Sequence, residues 1–179
     1  MNETFQLAIQ SLGGTDVRHL LAGGYAVNVR GYARGTEDLD LLIQEADRAK
    51  AHAAVTSAGF VEFLQNDLVT RYKPPAGPLV ALDLMPMDGK TFSAMWAEAT
   101  EESLLGCRVH VPSLDHILAM KLHTMKNDRL SRGLDDLLDV VWLVRRNSVD
   151  PRSERLRTLC LKFGDDAIYR SVLEALKPE

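Results

Sequence analysis

Residues 20–43, LLAGGYAVNVRGYARGTEDLDLLI, admit few folds. An apolar run ends in a glycine pair, a short helical stretch follows, and a tight loop leads to a strand that carries Asp38 and Asp40. At Gly23 and Gly24 the missing Cβ lets the backbone turn sharply and lets a phosphate approach the first amides of the next helix. Side chains alternate along a strand, so Asp38 and Asp40 project together while Leu39 and Leu41 point into a core. Two carboxylates on one open face, opposite an anion-binding turn, form a layout for holding Mg²⁺ against nucleotide phosphates. Singly, a glycine pair is a turn and D-x-D a solvated strand edge; the order of the two along one stretch makes the pattern specific.

Periodicity places the remaining elements around this stretch. Helix is expected over residues 2–12, ended by Gly13-Gly14, and strand over 17–22. A helix over 45–58 closes at Gly59, strands at 61–64 and 68–73 flank a polar turn, and the stiff run PPAGP at 74–78 follows. It delivers a strand at 79–85, with Val80, Leu82 and Leu84 on one side and Ala81, Asp83 and Met85 on the other. Residues 91–102 read as a short helix around Met95-Trp96, and 107–111 as a last short strand stopped by Pro112. From Ser113 strand signals cease, and helices are expected to about Lys126, over 134–146, from Asp150-Pro151 onward, and over 165–177. The expected class is α/β (α+β): a core with a mixed sheet over 1–112, then a C-terminal helical bundle over 113–179 packed on it.

Three further positions stand out. Asp83 lies on an apolar strand and would share the face of Asp38 and Asp40 if the strands are neighbours; an ionised group near a core must be paired or metal-bound. The alternative is an aspartate at a strand end, accepting backbone amides. Lys121 falls inside the apolar helix stripe of Leu114, Ile117, Leu118, Leu122 and Met125, so it either snorkels outward or reaches a polar site. Asp135, Asp136 and Asp139 share the polar side of their helix, opposite Leu137, Leu138, Val140, Val141 and Val144, and read as a solvated face. Arg30, Arg34, Arg129 and Arg132 are candidate phosphate contacts or loop charges, and Trp96 and Trp142 read as core residues.

The glycine turn, short helix and D-x-D strand resemble the nucleotidyltransferase superfamily that shares its catalytic core with DNA polymerase β. The run Arg34, Thr36, Asp38, Asp40 matches the R-x-T-x-D-x-D pattern of small bacterial AbiEii-like nucleotidyltransferases, many of them toxin components. The resemblance implies Mg²⁺ (or Mn²⁺), two ions, held by Asp38, Asp40 and Asp83, and an NTP cradled by Gly23, Gly24, Arg34 and Thr36. It implies that Lys121 contacts the nucleotide phosphates. It also implies an assisting role for Asp136, because LDDLLD matches the family's K-D-x-x-D motif with Asp135 in place of the lysine. Where many members carry Ser after the first glycine, this chain has Gly24, so a hydroxyl contact to the triphosphate is expected to be missing. The AbiEii-like resemblance suggests a tRNA 3′ end as acceptor, with an antitoxin as partner; related members modify small hydroxylated antibiotics or proteins, and all three stay open.

Composition narrows the class further. A formal net charge of −4 gives the whole molecule no general attraction for nucleic acid. No apolar run is long enough for a bilayer, and the N-terminus lacks a basic start and apolar core, so a cytoplasmic location without membrane is expected. Cys107 and Cys160 fit no metal spacing and read as reduced thiols. The rival from another class is a degenerate nucleotidyltransferase fold serving as a nucleotide- or protein-binding module; three costly clustered carboxylates argue against it.

Overall fold

The computed structural model describes residues 2–77, 81–128, 130 and 132–177. Pro78, Leu79, Val80 and Arg129 lie outside the described residues. The chain falls into two compact units, one of Met1–Ala26 with Arg34–Ser113, the other of Val27–Ala33 with Leu114–Glu179.

The first unit is built on a mixed sheet in the order β1-β2-β5-β4-β3. Its strands are β1 (His19–Leu21), β2 (Leu39–Gln44), β3 (Val61–Gln65), β4 (Thr70–Lys73) and β5 (Leu82–Met87). Only β2 and β5 pair in parallel; β1, β4 and β3 join antiparallel. Around the sheet lie α1 (Asn2–Gly13), the start of α2 (Gly23–Val29), a short 3₁₀ turn leading into α3 (Arg48–Ser57), and α4 (Gly89–Ala97). The central strands are buried on both faces, with Leu39, Leu41, Ile43 and Leu82 fully enclosed alongside Phe5, Leu12, Val55 and Phe92. Such strands read as near-continuous apolar runs, which is why a charge inside one is conspicuous. The Asp88 side chain caps α4, accepting from Lys90 N and Thr91 N at 3.1 and 2.9 Å.

A separate two-stranded hairpin pairs β6 (Thr100–Leu104) with β7 (Cys107–Val111). Residues 100–102 therefore form strand where helix was expected. The acidic run Thr-Glu-Glu has little strand propensity of its own. Its conformation follows from the turn, where Leu105 and Gly106 both take positive φ, 51° and 80°, as a two-residue hairpin loop requires.

The second unit holds α5 (Leu114–Asn127), α6 (Gly133–Arg146), α7 (Glu154–Phe163) and α8 (Asp166–Ala175). Ile117, Leu118, Leu122, Val140, Leu143, Val144, Leu156, Cys160, Ile168 and Val172 make its core. Pro151 does not open α7. The Asp150 carboxylate takes the Arg152 amide at 2.9 Å to form a turn, and Ser153 is the cap, accepting from Leu156 N at 3.3 Å. Trp96 and Trp142 are half-buried rather than core, stacked on His110 and Tyr32 at centroid distances of 4.2 and 5.4 Å. Both cysteines are buried and free. Among the described residues no helix is long and apolar enough to cross a membrane.

Candidate active site

The parallel pairing of β2 with β5 sets Asp40 opposite Asp83. Residues directly opposite in a ladder point to the same face, and Asp38, in the bend just before β2, reaches it too, its Oδ2 lying 3.6 Å from the Arg71 guanidinium that holds Asp83. The three carboxylates that alternation suggested thus come to one side of the sheet. Asp83 is 7% exposed, while Asp38 and Asp40 are half-buried. One oxygen of Asp38, Oδ1, is buried and has no hydrogen-bond partner among the described residues. A buried carboxylate oxygen left this way costs about 1–3 kcal/mol unless something outside the chain satisfies it.

The sequence reading missed Arg71. It stands on β4 opposite Asp83 in the antiparallel register. Its Nε donates to both Asp83 oxygens, at 2.8 and 3.0 Å, and its Nη2 lies 3.6 Å from Asp38 Oδ2. The hydrogen bond to Asp83 holds the Arg71 guanidinium above its ordinary pKa, partial burial opposes this, and the charges of Asp83, Asp38 and Asp40 add to it. Arg71 is therefore the counter-ion that makes a nearly buried Asp83 tolerable in an apolar strand.

The glycine turn closes over the acids. Gly23 has φ +54°, and a Cβ there would stand 1.8 Å from Asp40 Oδ2. Only glycine lets the Asp40 carboxylate lie against the backbone where α2 begins. At Gly24 a Cβ would meet Thr36 Oγ1 at 2.4 Å, Thr36 Cβ at 2.6 Å and Arg34 Nη1 at 3.3 Å. The Thr36 hydroxyl, from the following loop, fills that space and donates to the Asp38 carbonyl at 3.4 Å. Gly24→Ser is accordingly expected to lower stability by about 1–3 kcal/mol through overpacking. Gly24→Ser with Thr36→Gly should regain most of it, as read by urea unfolding.

Lys121 and Asp136 lie in the helical unit, on α5 and α6. Lys121 Nζ donates to Asp136 Oδ1 at 2.7 Å and lies 2.8 Å from Asp139 Oδ2. The lysine is 6% exposed and each aspartate 1%. The solvated face expected from periodicity is therefore wrong for Asp136 and Asp139, which are buried against α5, and right for Asp135, which is exposed. Leu138, expected inside, is 44% exposed. Lys121 does not snorkel; it joins the two buried acids, and Asp136 Oδ2 is buried without a partner among the described residues. Arg132 is exposed, and Arg30 is half-buried.

Among the described residues no group of three His, Cys, Asp or Glu side chains is gathered tightly enough to hold a metal alone. Mg²⁺ does not need such a cage, since one or two carboxylates and substrate phosphates suffice. Asp38 with its unsatisfied oxygen, and Asp40 beside the Gly23 turn, fit that requirement.

A family described as "Uncharacterised nucleotidyltransferase" matches residues 21–173. The chain belongs to this family. It is an enzyme of the nucleotidyltransferase type, a class that uses NTPs and typically divalent metals. No curated protein matches its sequence. Among solved structures, the antibiotic-resistance factor ANT(2'')-Ia in solution is similar over 98% of this chain and 94% of its own, with TM-score 0.66 and 16% identity. A nucleotidyltransferase-like antigenic protein of Paracoccidioides brasiliensis is similar over 96% and 92%, with TM-score 0.58 and 18% identity. The lincosamide antibiotic adenylyltransferase LnuA, bound to lincomycin, is similar over 80% and 96%, with TM-score 0.56 and 14% identity. At such identities the likeness is one of fold.

Proposed function

We propose that this nucleotidyltransferase moves a nucleoside monophosphate from an NTP to an acceptor hydroxyl, releasing pyrophosphate, at the face formed by Asp38, Asp40 and Asp83. The observation that carries this reading is the Asp40–Asp83 register beside an Asp38 oxygen that no described residue satisfies. Asp38 and Asp40 would hold Mg²⁺, which when bound supplies charge against the triphosphate and lowers the pKa of the attacking hydroxyl. Gly23 and Gly24, with the first amides of α2, would cradle phosphate oxygens. Thr36 and Arg34 sit over Gly24 and would add a hydroxyl and a cation to that cradle. The transferred group then needs little covalent help from the protein beyond position and charge.

Two acceptors are carried by different observations. The R-x-T-x-D-x-D run, which resembles that of AbiEii-like enzymes, favours a tRNA 3′ end, with an antitoxin as the cognate partner. The net charge of −4 and the length-matched fold likeness to ANT(2'')-Ia favour a small hydroxylated molecule such as an antibiotic. Incubation with each labelled NTP and either total tRNA or hydroxylated antibiotics separates them by which product carries label. Thermal-shift measurement tests the reading itself. An NTP with Mg²⁺ should raise the melting temperature, and Asp38→Asn should abolish the gain. A shift with NTP to which Mg²⁺ adds nothing would point instead to a binding module.

A further inference from the structure

We propose that Arg71 takes the position of a second metal ion, so that this site works with one divalent cation per catalytic centre. The inference rests on the proposed nucleotidyl transfer at Asp38, Asp40 and Asp83 and concerns how that site is charged.

Three lines on the protein converge. In a two-metal arrangement the ions lie about 3.5–4 Å apart. Here Asp83, the carboxylate that would help hold a second ion, has both oxygens hydrogen-bonded to Arg71 Nε at 2.8 and 3.0 Å. The same guanidinium extends toward Asp38 Oδ2 at 3.6 Å, so its positive charge spans Asp83 and Asp38. The contact is also fixed by the fold: Arg71 and Asp83 are register partners on adjacent strands, so the pairing does not depend on a mobile loop.

The charge of Arg71 agrees: a second ion would have to enter against a permanently charged guanidinium already seated on Asp83. The oxygens are also unequally satisfied. Those of Asp83 are both engaged, whereas Asp38 Oδ1 is buried without a partner among the described residues, so the oxygen left open for a cation is on Asp38. Arg71 thus acts as a positioning residue that fixes Asp83 and contributes the second positive charge from the protein.

The test counts ions without relying on turnover. The full chain is saturated in turn with the α,β-methylene analogues of ATP, CTP, GTP and UTP, titrated with Mn²⁺, and followed by electron paramagnetic resonance. The wild type should bind one Mn²⁺ per chain with the spectrum of an isolated ion. Arg71→Met should bind two, with the broadened spectrum of a coupled pair, and Arg71→Lys should return to one. Two coupled ions in the wild type overturn the proposal whatever the variants do. One ion in both wild type and a folded Arg71→Met or Arg71→Gln overturns it as well, because the arginine then excludes nothing. Failure of the underlying reading looks different: the wild type binds no Mn²⁺, or binding survives Asp38→Asn unchanged.

Discussion

Lys121→Met is expected to destabilise the protein by about 3–5 kcal/mol, the cost of removing one partner from a buried ion pair. The lysine offsets two carboxylates that are each 1% exposed, at 2.7 and 2.8 Å, with one oxygen of Asp136 already lacking a partner. Without it, two like charges remain between α5 and α6 with no ammonium to hold them. A loss of that size is a large fraction of the stability of an ordinary domain. Urea unfolding of the variant beside the wild type reads this directly. Replacing all three together, Lys121→Met with Asp136→Leu and Asp139→Leu, should recover most of the stability, since an apolar cluster of similar volume needs no desolvated charge. That triple variant also separates roles: a stable protein with full nucleotidyl transfer makes the cluster structural, and a stable but inactive one makes it part of the chemistry.

The contrast between this cluster and the acidic trio shows what a single sequence can disclose. Strand alternation is local, so the common face of Asp38 and Asp40 follows from their spacing, and Asp83 announces itself as a charge between Leu82 and Leu84. Helical periodicity tells which residues share a side but not what the side faces. Asp136 and Asp139 lie on a polar side, and a polar side buried against Lys121 has the same spacing as one bathed in water. The clue lay on the other helix, in a lysine interrupting an apolar stripe. Arg71 gave no local signal at all. Its partnership with Asp83 is set by the register of β4 on β5, and nothing in the run Thr-Arg-Tyr-Lys reveals that register. Thr36 beside Gly24 is a similar case, because the fit of one side chain into the space left by a glycine exists only after the loop has folded. The hairpin of β6 and β7 escaped for the opposite reason: its acidic strand is poor strand sequence, held by pairing and by a turn with two positive φ angles.

The other large effect is expected at Asp40, and its sign on stability is opposite to that at Lys121. Asp40→Asn keeps the shape that packs against Gly23, where a Cβ would come within 1.8 Å of the carboxylate oxygen. It removes one of three like charges from a single face. The folded protein should therefore melt at the same temperature as the wild type or slightly higher, since relief of repulsion offsets the weaker attraction to Arg71. Catalysis should respond quite differently. A neutral amide is a poor ligand for a hard divalent cation, and charge stabilisation by such an ion contributes several kcal/mol to the transition state. At 1.36 kcal/mol per decade, nucleotidyl transfer should fall by about three decades or more. The same variant should lose the Mg²⁺-dependent part of the thermal shift with NTP while keeping any shift due to NTP alone, because the amides at the start of α2 are untouched. Measuring turnover and melting side by side gives the decisive pattern of a stable protein with no metal response and no transfer. Retained transfer in Asp40→Asn would remove the acidic face from the chemistry, whatever the fold.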